Sequence, residues 1–243
     1  MTAARALDDA DVCLVGIGLP SEACNLARLT HAPGITLIYE SGTIATQPDV
    51  LPLSIGDGVL SDSALTTVPV TELFRYWLQG GRISVGFLGA AQIDRYANLN
   101  TTVIGSYQHP KVRLPGGGGA PEIATHSGRV LITMPHSTRG MVADLDFITT
   151  LGFGKDGRER QRLGLTTKGP TLVVTDLCIM QPGEGNELEV ASLHPGVTRR
   201  QVTGATGWPV RFAEDVAVTP PPSDTALETL RDLHARTATA HSE

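Results

Sequence analysis

No stretch of this chain is apolar for the roughly 18 to 20 residues that a membrane-crossing helix requires, and no basic cluster is present. Its 19 lysines and arginines are scattered and outweighed by 25 acidic residues, giving a formal net charge of −6. That offers no electrostatic footprint for nucleic acid. The first eleven residues carry Asp8, Asp9 and Asp11 and lack the apolar centre of a secretory signal. Cysteine is scarce: Cys13, Cys24 and Cys178 are an odd number without metal-binding spacing, which reads as buried free thiols in a reducing cytoplasm. The histidines His31, His109, His126, His136 and His194 lie far apart, with no zinc spacing. Internal repeats and long charged or low-complexity linkers are also missing. The 243 residues therefore read as a single domain, 1–243, able to bury one sizeable core or two closely packed lobes.

What is present is an alternation of apolar runs and helical patterns, the signature of α/β architecture. Val12–Val15 reads as a buried strand. Residues 20–30 suit a helix with Ala23, Leu26, Ala27 and Thr30 on one face and Pro33-Gly34 beyond its end. Ile35–Glu40 is a second strand, and 71–79 a short helix stopped by Gly80-Gly81. Ile83–Leu88, Val130–Met134 and Leu172–Thr175 are further strands, and the alternating Leu188–Leu193 suits an antiparallel or edge strand. Thr198 with Gln201, and Thr225 with Glu228, have the spacing of helix-capping pairs. The fold expected is an open, mostly parallel sheet with flanking helices.

The residue that most needs a reason is Glu40. Charged residues are costly to bury without a partner or a role, yet this one ends an apolar strand and is followed at once by Ser41-Gly42. The carboxyl end of a buried strand is where open α/β folds place chemistry. Nucleophile, cofactor ligand and plain strand-end charge are all compatible with that position. Gly16-Ile17-Gly18-Leu19-Pro20-Ser21, with Glu40 about 20 residues on, approximates a dinucleotide fingerprint. Ser21 replaces its third glycine, however, and Pro20 removes a backbone N–H, so a strand-to-helix turn without a ligand is the preferred reading. Four consecutive glycines, Gly116 to Gly119, form either a flexible loop or an ordered one whose N–H groups approach a ligand. No Lys-Ser or Lys-Thr follows, which argues against a nucleotide P-loop. Gln92, Asp94, Asn98 and Asn100 are a dense polar group best read as turn-stabilising. Ser41 lacks the flanking glycine of a nucleophile elbow.

Taken in order, Gly16 to Ser21, Tyr39-Glu40-Ser41-Gly42, Gly89 to Asp94, Asn98-Leu99-Asn100, Gly116 to Ala120, and Leu193 to Thr198 resemble the β subunits of family I CoA-transferases. The resemblance covers nearly the whole chain and leans to the branch acting on 3-oxoadipate, with the glutaconate branch as a relative. It implies a CoA-transferase-like fold. It also implies that Glu40 attacks an acyl-CoA and becomes a glutamyl-CoA thioester, from which a carboxylate acceptor takes the CoA. The implied donor is succinyl-CoA, and the acceptor 3-oxoadipate or a similar oxo or dicarboxylic acid, as in the degradation of aromatic compounds. By the same resemblance Gly118, Gly119, Ala120, Gly42 and Gln92 line the oxyanion and substrate site, and Gly117 contacts CoA; the glycine loop is then ordered. No permanently bound cofactor or metal is implied, only a coenzyme A thioester as substrate.

The implied partner is an α subunit, in a heterodimer or a heterotetramer of two copies of each chain. The expected setting is cytoplasmic, with no membrane or nucleic acid partner. Other carboxylate acceptors, hydrolysis of a CoA thioester, and an NAD-binding or catalytically idle regulatory homologue are the alternatives. The chain departs from the family at Ala97, which stands where many relatives have glycine, and at its amino terminus, where Met1 falls inside what is normally the first helix. Lys111 and Arg113, beside the glycine loop, are candidates for binding a remote carboxylate.

Overall fold

The computed structural model describes residues 1–242. They form two compact units, one of Met1–Phe87 with the segment from Pro221 onward, the other of Leu88–Pro220.

The first unit opens with a single helical turn, α1 (Thr2–Arg5), then β1 (Val12–Val15), α2 (Leu19–Leu29) and β2 (Thr36–Tyr39). β1 and β2 pair in parallel, Val12 with Thr36 through Val15 with Tyr39, so α2 is the crossover of a βαβ unit. Cys13, Leu14, Val15, Leu37, Ile38 and Tyr39 are all fully buried, as expected where helices cover a parallel sheet and strands become continuous apolar runs. α2 starts on Pro20 in its first turn, a place where the missing N–H would have had no partner anyway.

β3 (Thr43–Ile44) and β4 (Thr66–Thr67) then turn back antiparallel, with α3 (Gly58–Asp62) between them. The helix expected over 71–79 is present but wider than an α-helix. α4 (Val70–Glu72) runs into a π-type turn, Leu73–Leu78, in which Gln79 N–H bonds the carbonyl of Phe74, five residues back. This places Leu73 and Leu78 together in the core. Gly81, at φ +72°, ends it. β5 (Val85–Leu88) pairs in parallel with β1, and the strand order in this unit is β5-β1-β2-β3-β4.

In the second unit two small hairpins come first, β6 (Gln92–Ile93) with β7 (Leu99–Asn100) and β8 (Val103–Gly105) with β9 (Pro110–Arg113). Then follow α5 (Ala120–His126), β10 (Arg129–Thr133), α6 (Glu159–Arg162), β11 (Pro170–Val174), β12 (Cys178–Pro182), β13 (Leu188–Leu193), α7 (Arg199–Gly204) and β14 (Arg211–Val218). Their order is β14-β13-β12-β11-β10. β10 runs parallel to β11, β12 is antiparallel to both neighbours, and β14 is parallel to β13. β13 is thus antiparallel to β12 as expected, but β14 covers its other side, so it is not an edge. α7 carries the expected capping box, Thr198 with Gln201.

The chain finally returns to the first unit as α8 (Asp224–Ala240). Its cap is Ser223, whose hydroxyl accepts from Ala226 N–H, and not Thr225, which falls inside the first turn. Pro220-Pro221-Pro222 fixes an extended backbone up to Ser223, so the helix can begin directly after it. α8 packs against α2, buries Leu233, and pairs His234 with Glu22 at 3.3 Å.

Candidate active site

Glu40 leaves β2 into a tight turn closed by Gly42 N–H donating to the carbonyl of Tyr39 at 2.9 Å. Gly42 has φ +98°, and a Cβ there would stand 1.9 Å from the carbonyl oxygen of Val68. Only glycine fits both the dihedral and the space. Val68 N–H donates back to the carbonyl of Gly42 at 2.9 Å, so the segment entering α4 clamps the turn. The Glu40 carboxylate is partly exposed and has no hydrogen bond or ion pair among the described residues. Burial of the rest of the group raises its pKa above the ordinary carboxylate value. Beside it, the buried hydroxyls of Ser41 and Thr43 also lack partners. A desolvated carboxylate with no local donor is a better nucleophile than a hydrated or salt-bridged one, because attack does not have to strip a tight shell first.

Behind the turn lies a network that sequence reasoning did not find. The Tyr39 hydroxyl is 2.8 Å from Ser21 Oγ at the start of α2, and Asn25 Nδ2 donates to the carbonyl of Ser21 at 2.9 Å. Asn25 Oδ1 accepts from Arg28, which also donates to the carbonyl of Pro48 at 2.7 Å. Desolvation pushes the Tyr39 phenol up to about 12, so it stays neutral. The available signal was that Ser21 and Asn25 stand four apart, on one face of a helix, facing a strand that ends in tyrosine, a residue whose buried hydroxyl needs a partner.

The glycine loop, in the second unit, is ordered. Gly116 N–H donates to the carbonyl of Thr101 at 2.8 Å, and Thr101 Oγ1 returns a bond to the Gly116 carbonyl. Gly116 and Gly118 have φ +101° and +50°, and a Cβ on Gly117 would stand 3.3 Å from Thr149 Cγ2. The backbone N–H groups of Gly117, Gly118 and Gly119 have no partner among the described residues, while Ala120 N–H is engaged by the carbonyl of Gly117. Three unpaired donors in a row, just before α5, suit a developing oxyanion.

Gln92 is buried with both ends of its amide engaged, Nε2 to Asp146 at 3.0 Å and Oε1 to Asn100 at 2.7 Å. Asp94, Asn98 and Asn100 are turn braces, as read from the sequence. Asp94 accepts from Tyr96 and Asn98 backbone N–H groups, Asn98 Oδ1 from Gly152 and Gly154, and Asn100 Oδ1 from Thr102. Ala97 sits between them at φ +56°, a left-handed conformation that favours glycine. Arg113 lies over the Tyr107 ring and donates to its carbonyl; Lys111 is exposed. The predicted residues therefore fall in two groups, Glu40 with Gly42 in the first unit and Gln92 with Gly117 to Ala120 in the second.

All three thiols are free and buried. No group of acidic, histidine or cysteine side chains among the described residues could hold a metal, and no helix among them is long and apolar enough to cross a membrane.

The coenzyme A transferase family model matches residues 1–205. This chain belongs to that family. It is 61% identical to the β (B) subunit of 3-oxoadipate CoA-transferase from Pseudomonas knackmussii, with all of this chain and 94% of the relative aligned. It is 33% identical to the β (B) subunit of glutaconate CoA-transferase from Acidaminococcus fermentans, over 91% and 85% of the two chains. The crystal structure of glutaconate CoA-transferase from that organism superposes with a TM-score of 0.87 at 32% identity, covering 95% of this chain and 90% of the other. A CoA-transferase β subunit is also what the motif order indicated, and the α/β sheet with flanking helices is the one expected.

Proposed function

We propose that this chain is the β subunit of a heteromeric enzyme that moves CoA from succinyl-CoA to 3-oxoadipate or a closely similar oxo acid, with Glu40 as the nucleophile. The 61% identity along the whole chain to a protein named for 3-oxoadipate carries the substrate class. The unpartnered carboxylate on its glycine turn supports the role of Glu40. A Glu40 oxygen attacks the thioester carbonyl and CoA thiolate departs, leaving a mixed anhydride. The thiolate then attacks the glutamyl carbonyl, expelling the donor carboxylate and leaving a glutamyl-CoA thioester. The acceptor carboxylate attacks that thioester, CoA thiolate leaves again, and its attack on the acceptor acyl carbon of the new anhydride releases the product and restores Glu40. Each addition builds an oxyanion, and the free N–H groups of Gly118 and Gly119 are donors of the kind that stabilises one.

In this reading Gly42 shapes the turn that carries Glu40, Ala120 lines bound substrate, Gly117 contacts CoA, and Gln92 is a substrate-lining residue held by Asn100 and Asp146. The thioester's free energy is conserved only if water is kept from the intermediates. Coenzyme A thioester enters as substrate and the chemistry calls for no resident cofactor. Residues 1–243 act as one β-subunit domain alongside an α subunit, in a heterodimer or a heterotetramer with two copies of each, in the cytoplasm.

The test is intact-protein mass after co-expression with the α subunit and addition of succinyl-CoA without acceptor. A CoA-sized adduct on this chain, absent from Glu40→Ala, is the expected result. Steady CoA release without an adduct would instead indicate a thioester hydrolase.

A further inference from the structure

We propose that Tyr39 is a positioning residue for the nucleophile, acting through its buried hydrogen bond to Ser21. The inference rests on the reading of Glu40 as the nucleophile.

Tyr39 joins two things that are otherwise separate. Its carbonyl accepts the bond from Gly42 N–H that closes the Glu40 turn. Its hydroxyl, on a fully buried side chain, reaches Ser21 Oγ at the start of α2. The rest of that contact is fixed in turn. Ser21 is itself buried, Asn25 bonds the Ser21 carbonyl, and Arg28 bonds Asn25 and the carbonyl of Pro48. The last residue of β2 is thereby held at both ends, by its phenol to the helix and by its carbonyl to the turn.

Glu40 has no such restraint, because its carboxylate touches no donor among the described residues. The direction in which it leaves the strand is therefore set by the backbone of Tyr39 and by the clamp of Val68 on Gly42. Group transfer to a carboxylate depends on the approach of one oxygen to one carbonyl carbon, and a displacement of about 1 Å can cost about a hundredfold in rate. A bond that only stabilised the fold could lie anywhere in the core. This one ends on the residue before the nucleophile. It also explains the serine at position 21, since the hydroxyl that departs from a dinucleotide fingerprint is the partner of the phenol.

The experiment uses the complex co-expressed with its α subunit and three variants, Tyr39→Phe, Ser21→Ala and the double substitution. Tyr39→Phe keeps the ring volume and loses only the hydroxyl, so folding is preserved. The single-turnover rate of glutamyl-CoA formation from saturating succinyl-CoA, the dissociation constant of CoA, and the Tm are measured on each. The expected result is a fall in that rate of about tenfold or more in each single variant. The CoA dissociation constant should be unchanged, and the double variant no slower than the slower single.

A lower Tm with an unchanged rate would make the bond purely structural and overturn the proposal, as would equal losses in rate and CoA affinity or strictly additive effects. The Glu40→Ala control separates this failure from that of the underlying reading. If Glu40→Ala still forms the adduct, Glu40 is not the nucleophile and the inference falls with it. If only Glu40→Ala abolishes the adduct and Tyr39→Phe matches wild type, the positioning role alone is refuted.

Discussion

The two glycine turns of this protein solve opposite problems. At Glu40 the backbone is crowded: a methyl group on Gly42 would collide with the Val68 carbonyl, and the turn presents an acceptor with no donor. At the Gly116–Gly119 loop the backbone is open, with nothing within 4 Å of a Cβ on Gly116 or Gly118, and the turn presents donors with no acceptor. Gly42 is required by space and by dihedral, whereas Gly118 is required by dihedral alone.

Substitutions at the two turns should separate accordingly. Gly42→Ala forces the Val68 segment away from the turn, and we expect a loss of folding stability on the order of 4 kcal/mol or more with no detectable transferase activity, read by thermal melting and by CoA transfer. Gly118→Ala adds only left-handed strain, about 1–2 kcal/mol. The complex should assemble and turn over more slowly, the loss lying in kcat and not in the dissociation constant of CoA. If the two variants proved equally disruptive, the contrast between the crowded and the open turn would be wrong.

Ala97→Gly sharpens the same point away from both turns. Its φ of +56° already carries the strain that Gly118→Ala would introduce, and relieving it should raise Tm by about 2 °C, a gain of roughly 0.5–1 kcal/mol after the entropy of glycine is counted. The smallest effect is electrostatic. Burial raises the Glu40 pKa, so the ionised form is less stable in the folded than in the unfolded chain. The stability associated with its neutral form is present below the unfolded pKa and is lost as pH rises through the higher folded value. Glu40→Gln should therefore melt slightly higher than wild type at neutral pH, and the gap should close at pH below the ordinary carboxylate range.

The sequence made β2 legible because Ile35 to Tyr39 is uninterrupted and apolar and Glu40 is out of place at its end. β1, β10 and β11 were legible for the same reason. β14 was not, because its side chains are mostly exposed and Arg211, Glu214 and Asp215 interrupt any apolar run. Neither were β12, which ends in Gln181-Pro182, and the β8–β9 hairpin, whose second strand carries Pro110, Lys111 and Arg113, because neither is an uninterrupted apolar run. The glycine loop was ambiguous because order there comes from the bonds of Gly116 to Thr101, itself bonded to Thr149, neither adjacent in sequence. Ser21 illustrates the limit most directly. Its residue type counted against one ligand, but its bond to a tyrosine eighteen positions on appears only in three dimensions.

α8 belongs to the unit that carries Glu40 although it follows 133 residues of the other unit, Leu88–Pro220. Its Arg236 and Thr237 hold the loop after the Glu40 turn, at the Asp49 carbonyl and the Leu51 N–H. During synthesis the βαβ segment of β1, α2 and β2 emerges before Leu88–Pro220, and the helix that anchors its neighbouring loop emerges after them. The unit whose synthesis starts first is thus completed only after the other has been made.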